Sequence, residues 1–156
     1  MAWSDVPPGH FVLMAVGWPS FAVYVIIIVV IVRNDQKLAQ FRSSFFKLIV
    51  AQAIPDWILF LHLELVQRPH KYNLVSFPEQ VYSAQAIVQF RYFLNTLMRT
   101  VITLGLIAFA ANRLTLFLVG GARHAKLWTG RAVVGCVFVN WAVSAGTLLP
   151  IFYVIP

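Results

Sequence analysis

The chain has 156 residues, of which 60% are hydrophobic, 15% aromatic and only 11% charged. This composition lies far outside the range of soluble domains and predicts a membrane protein. The net charge of +7 comes from basic residues that flank the apolar segments, which favours a role in membrane topology over nucleic-acid binding.

The apolar segments predict an all-α bundle of four transmembrane helices in a single domain, residues 1–156. No basic stretch precedes the first segment, and that segment is too long for the core of a cleaved signal peptide, so we expect it to be retained as an anchor. The predicted spans cover residues 11–32, 45–66, 92–119 and 132–156.

Lysine and arginine residues in the connections predict the orientation of the spans. The first and third connections hold most of them: Arg33, Lys37, Arg42, Lys47, Arg123, Lys126 and Arg131. The N-terminal segment holds none, and the second connection holds Arg68, Lys71 and Arg91. Because basic connections stay in the cytosol, the N-terminus is expected outside, in a multi-pass protein of the plasma membrane.

Asp56 is the most deeply placed charge in the second span. It follows Phe45 by eleven residues, which places it about 16 Å along the helix axis and near the bilayer midplane. Gln52, four residues earlier, shares its helix face. The pair is either an ion-binding or protonation site in a polar core, or a structural carboxyl group bonded to other helices.

The third span carries a polar face formed by Asn95, Arg99 and Thr103, which recur every four residues. A polar face on a spanning helix is expected to point into the bundle or line a cavity, so these three residues are candidate ligand-binding residues. Glu64 on the second span lies at similar depth to Arg99. These two residues either pair or reach the headgroups separately.

Asn112 and Arg113 lie about 10 Å inside the end of the third span, in ANRLTLFL. Arg113 follows Asn95 by eighteen residues, which is five helical turns, so it shares the polar face. It either reaches the cytosolic interface or pairs within the bundle. A charge that can do both is suited to a conformational switch, which makes the two residues candidate switch residues.

Polar residues of the fourth span form a milder stripe that predicts contacts between helices: Cys136, Asn140, Ser144 and Thr147. Cys136 is the only cysteine, so no disulfide within the chain and no Cys/His metal site are expected. No nucleophile with a base and no phosphate-binding glycine loop occurs, so we expect neither an enzyme nor a cofactor.

Two stretches, FRSSFFKLIVAQAIPDWILFL and AANRLTLFLVGGARHAKLW, together resemble the nematode serpentine chemoreceptors, specifically the class gamma group and its close relatives. The resemblance runs from about Val12 to the end of the chain. It implies a seven-span receptor of the G-protein-coupled type, with a small external ligand and a G protein as partners. It also implies that Asp56 belongs to an ion-linked polar core and that Asn112 and Arg113 gate G-protein coupling.

Two departures from this family pattern matter for function. The third-span cysteine that many such receptors place in an external disulfide is absent, and only four of seven spans are present. The chain is therefore interpreted as a chemosensory receptor or the first four spans of one, which in truncated form would be retained in the endoplasmic reticulum. A small oligomeric ion or proton transporter that uses Asp56 is the alternative, and a nonfunctional fragment is a third.

Overall fold

The computed structural model describes residues 8–35, 37, 43–71 and 85–150. Four of its helices are long and apolar enough to cross a membrane, so the predicted all-α fold with four membrane helices is confirmed. The spanning helices are α1 (Pro8–Asn34), α2 (Ser44–His62), α3 (Gln85–Val119) and α5 (Gly130–Leu148), and a short helix, α4 (Gly121–Leu127), connects the last two.

Helix α1 packs on α2 through aromatic rings. The rings of Phe21 and Phe60 stack with centroids 4.3 Å apart and 9° between their planes. Trp18 meets Phe60 edge-on at 5.3 Å. Most large apolar side chains of α1 point away from the other helices, as expected of a helix that faces lipid.

Helix α2 continues without a break through a π-helical turn, Leu63–Gln67, and a last α-helical turn, Arg68–Lys71. Nothing in the sequence analysis predicted this π-helical turn, which holds the buried side chain of Glu64. Pro55 lies inside α2 and is buried, so the helix tolerates it in the core of the bundle.

Helix α3 is the central helix, since it packs against α2, α4 and α5. Its buried residues Leu97, Met98 and Val101 form the main core with Leu148 of α5. The helix begins at Gln85, seven residues before the predicted start of the third span. The difference arises because an α-helix continues past the apolar segment through polar residues such as Gln89.

A left-handed residue, Gly120 with φ of 75°, separates α3 from α4. Helix α5 begins after Thr129, whose Oγ1 accepts a hydrogen bond from the backbone N–H of Ala132 at 3.2 Å. Helix α5 ends at Leu148, and the last six residues of the predicted fourth span, 151–156, lie outside the described residues, as do residues 72–84 of the second connection.

One end of the bundle, here named the basic end, joins the end of α1, the start of α2, the end of α3 and the start of α5. The described cations at this end are Arg33, Lys37, Lys47, Arg113, Arg123, Lys126 and Arg131. The opposite end holds the π-helical turn of α2 and the start of α3.

Candidate functional site

Asn112 is the centre of a hydrogen-bond network at the basic end. Its side chain is 2% exposed, and its Nδ2 donates to Oγ of Ser44 on α2 at 2.9 Å. Its backbone oxygen accepts from Oγ1 of Thr115 at 2.9 Å and lies 3.1 Å from Nε2 of His124. One residue therefore ties the end of α3 to both α2 and α4.

The short helix α4 is held against α3 by a second bond in the same network. The indole Nε1 of Trp128 donates to Oγ1 of Thr115 at 2.7 Å. The rings of His124 and Trp128 stack with their centroids 6.4 Å apart. These contacts fix the position of the connection between the third and fourth spans.

Arg113 points in a different direction from Asn112. Its side chain is exposed, and its guanidinium carbon lies 3.7 Å from the centroid of the Phe45 ring. Phe45 meets Phe109 edge-on at 5.8 Å. Both candidate switch residues thus contact the first turn of α2, Asn112 through a buried hydrogen bond and Arg113 through an exposed cation–π contact.

Asp56 and Gln52 lie on the same helix but contact different neighbours. Oδ2 of Asp56 accepts a hydrogen bond from the Tyr24 hydroxyl of α1 at 2.9 Å. Gln52 is 9% exposed and instead faces Gly105 of α3, so close that a Cβ at position 105 would overlap the Gln52 amide. The bond from Tyr24 favours the structural interpretation of Asp56.

A small cavity of about 20 Å³ lies between α2, α3 and α5, beside Gln52. This volume is enough for about one water molecule. Nε2 of Gln52 is buried and has no hydrogen-bond partner among the described residues. On the other side, Nδ2 of Asn140 donates to the backbone oxygen of Val101 at 3.0 Å, so the fourth-span stripe joins helices as predicted.

The candidate ligand-binding residues of α3 are less enclosed than their shared polar face predicts. Asn95 is half-buried, whereas Arg99 and Thr103 are exposed. Oγ1 of Thr103 donates to the backbone oxygen of Arg99 at 2.9 Å, within the same helix. The helix turns this way because Leu97, Met98 and Val101 take the core-facing positions, so Arg99 and Thr103 face away from the other described helices.

Glu64 bonds to Arg68 one turn further along the chain, and the proposed pair with Arg99 does not form. The side chain of Glu64 is buried, and its second oxygen, Oε2, has no hydrogen-bond partner within the described ranges. The π-helical turn brings this carboxyl group inward, and hydropathy gives no signal for such a turn.

Four apolar helices joined by polar contacts at two depths define a multi-pass membrane protein. Residues 13–154 match the family model of the serpentine type 7TM GPCR chemoreceptor Srv, and the chain belongs to this family. It is therefore a member of a receptor family and not an enzyme. Searches of curated proteins and of solved structures found no match.

The family match confirms the resemblance to serpentine chemoreceptors and corrects its finer assignment. The group is Srv and not class gamma. The two stretches that carry the resemblance are short, whereas the family match extends over nearly the whole chain. The longer match can therefore distinguish Srv from the class gamma group. Membership of a receptor family also favours a receptor over the transporter alternative.

Proposed function

We propose that this chain forms the first four spans of a chemosensory receptor that couples an external small-molecule ligand to a G protein. The observation that carries the proposal is the arrangement of Asn112 and Arg113, which contact neighbouring residues of α2 in two different ways. The family match supports the receptor class. The cations of the basic end support a cytosolic location for that end and an extracellular N-terminus.

In this proposal Asn112 is the fixed part of the switch region and Arg113 is the mobile part. The bond from Asn112 to Ser44 is buried, so breaking it would leave polar groups without partners in the bundle. The contact of Arg113 with Phe45 is exposed, and such contacts contribute only about 0.5–1 kcal/mol. A G protein that offers the guanidinium a better partner can therefore displace it at small cost.

We propose that the ligand binds beside Asn95, Arg99 and Thr103, on the half of α3 that lies away from the basic end. A charged side chain exposed on a spanning helix is unfavourable in lipid unless a polar group or water covers it. Oδ1 of Asn95 is buried with no hydrogen-bond partner in the described part of the chain. Both features favour an additional polar partner on this face.

The switch proposal is tested by nucleotide exchange on a G protein in membranes of cells that express the receptor from its natural transcript. We expect Arg113→Ala to change the exchange rate while the amount of receptor at the cell surface stays the same. Arg123→Ala, which removes an exposed cation of α4 at the same end, is the matched control. Unchanged exchange in Arg113→Ala would exclude the switch role.

The ligand proposal has its own test in the same assay. Arg99→Gln is expected to shift the concentration dependence of any stimulating odorant without changing basal exchange. Arg33→Gln, an exposed cation of α1, is the control. If Arg99→Gln leaves the concentration dependence unchanged, the ligand binds elsewhere.

A further inference from the structure

A long apolar groove lies between α2 and α5 on the outer surface of the bundle, with a volume of about 490 Å³. Its walls are formed by Ala51 of α2 and by Val134, Val137, Phe138 and Trp141 of α5. Val133 forms part of its floor and is buried. The groove is therefore concave, unlike a flat lipid-facing helix surface.

The groove has the length of one membrane leaflet. It runs along α5 from Gly130 to Trp141, and the eleven steps between these residues correspond to about 16 Å at 1.5 Å per residue. Half of a hydrocarbon core of about 30 Å is about 15 Å. An occupant that enters at the basic end would therefore extend to the bilayer midplane.

One cation, Lys47, lines the mouth of the groove at the basic end, and a second, Arg131, follows the lining residue Gly130 in the sequence. Nζ of Lys47 is 3.6 Å from the position that a Cβ would take on Gly130, and Arg131 is exposed on the next residue. The first turn of α5 contains no acidic residue. Asp35 and Lys47 both line a neighbouring groove. The side chains of Lys47, Arg131 and Asp35 together therefore carry a net charge of +1.

We propose that this groove binds one anionic phospholipid of the leaflet at the basic end. An acyl chain lies along Val134 and Phe138, and the anionic headgroup contacts Lys47 and Arg131. The positive charge at the mouth favours a negative headgroup, and the length of the groove fits an acyl chain of one leaflet. Together these two features indicate an anionic phospholipid. Lipid binding in this groove requires only that the chain spans a membrane, so it does not depend on the proposed ligand or on the G protein.

The test uses the full chain purified in detergent micelles and mixed with equal amounts of phosphatidylserine and phosphatidylcholine that carry the same oleoyl chains. Native mass spectrometry then measures which lipid stays bound. We expect phosphatidylserine to be retained severalfold over phosphatidylcholine. Lys47→Gln and Arg131→Gln should each reduce this preference by up to about fivefold at low salt.

Two control variants distinguish a specific lipid-binding site from a general attraction between the cations of the basic end and anionic lipids. Arg33→Gln removes a cation at the same end that does not line the groove, and it should leave the preference unchanged. Ala51→Leu narrows the groove and should reduce the retention of both lipids. Equal retention of the two lipids by the unsubstituted chain, or an equal loss in Arg33→Gln, would overturn the proposal. Displacement by cholesterol that is insensitive to Lys47→Gln would also overturn it and indicate a sterol site.

Discussion

The amide of Asn112 donates to the hydroxyl of Ser44 across 68 positions of sequence, and the bond closes the basic end of the bundle between α2 and α3. Both side chains are buried. Hydrogen bonds between membrane helices contribute about 0.6 kcal/mol on average and up to about 1.7 kcal/mol.

We therefore expect Asn112→Ala to lower the free energy of unfolding by about 1–2 kcal/mol, because it also leaves Ser44 without its partner. Ser44→Ala should have a similar effect, and the double variant should cost less than the sum of the two. Titration of micelle-bound protein with sodium dodecyl sulfate, followed by far-ultraviolet circular dichroism, measures these changes. Ser20→Ala, at an exposed position of α1, serves as the control. Additive effects in the double variant would show that the bond does not couple the two helices.

Gly105→Ala should destabilise the bundle because the new Cβ would overlap the amide of Gln52. The cost is about 1–3 kcal/mol if the buried Gln52 side chain cannot move aside. Gly135→Ala is the matched control, since no atom of another described helix lies within 4 Å of its Cβ position and alanine favours the helix. The same unfolding titration measures both variants.

A Gln52→Ala background tests whether the Gln52 amide causes the loss of stability in Gly105→Ala. With the amide removed, alanine at position 105 should be tolerated at no cost. If Gly105→Ala destabilises the chain equally in both backgrounds, the close approach to Gln52 is not the cause.

Arg113→Ala should reduce stability by about 0.5–1 kcal/mol, because it removes the cation–π contact with Phe45. Phe45→Leu should cost more, because it also removes the edge-on contact with Phe109. In the Arg113→Ala background the cost of Phe45→Leu should fall by about 0.5–1 kcal/mol, since only the contact with Phe109 is then lost. A double-mutant cycle of unfolding free energies measures this coupling. Phe45→Tyr, which keeps an aromatic face, should retain most of the stability, and a loss equal to that of Phe45→Leu would contradict the assignment.

Trp128→Phe should loosen α4 from the end of α3, because the indole N–H no longer reaches Thr115. The loss of about 1 kcal/mol corresponds to roughly fivefold faster amide hydrogen exchange in Gly121–Leu127. Hydrogen exchange read by mass spectrometry tests this outcome, with amides at the centre of α3 as the internal reference. Thr115→Val removes the acceptor and should give the same result. Unchanged exchange in both variants would show that other contacts hold α4.

The sequence was sufficient to predict the number and type of the membrane helices, because hydropathy is a local property of each segment. It was insufficient to predict which face of each helix is buried. Helix α1 is apolar almost all round, so its sequence does not indicate which of its faces packs against the other helices. On α3, polar spacing placed Arg99 towards the interior, whereas Leu97, Met98 and Val101 took that position.

The partners of the candidate residues depend on how the helices cross, which the sequence did not supply. Ser44 and Phe45 carry no distinctive signal as single residues, and only the approach of α2 to the end of α3 makes them partners of Asn112 and Arg113. The bond from Tyr24 to Asp56 likewise depends on how α1 crosses α2, which neither residue's sequence context indicates.

The π-helical turn Leu63–Gln67 amounts to one additional residue in an otherwise α-helical α2. Loss of one residue from this turn would convert it to ordinary α-helix and rotate the segment beyond it by about 100°. Gln52 and Asp56 would keep their places, since they precede the turn. Single-residue insertions and deletions at this point therefore give related chains a way to re-aim the residues at the opposite end while the basic end stays as it is.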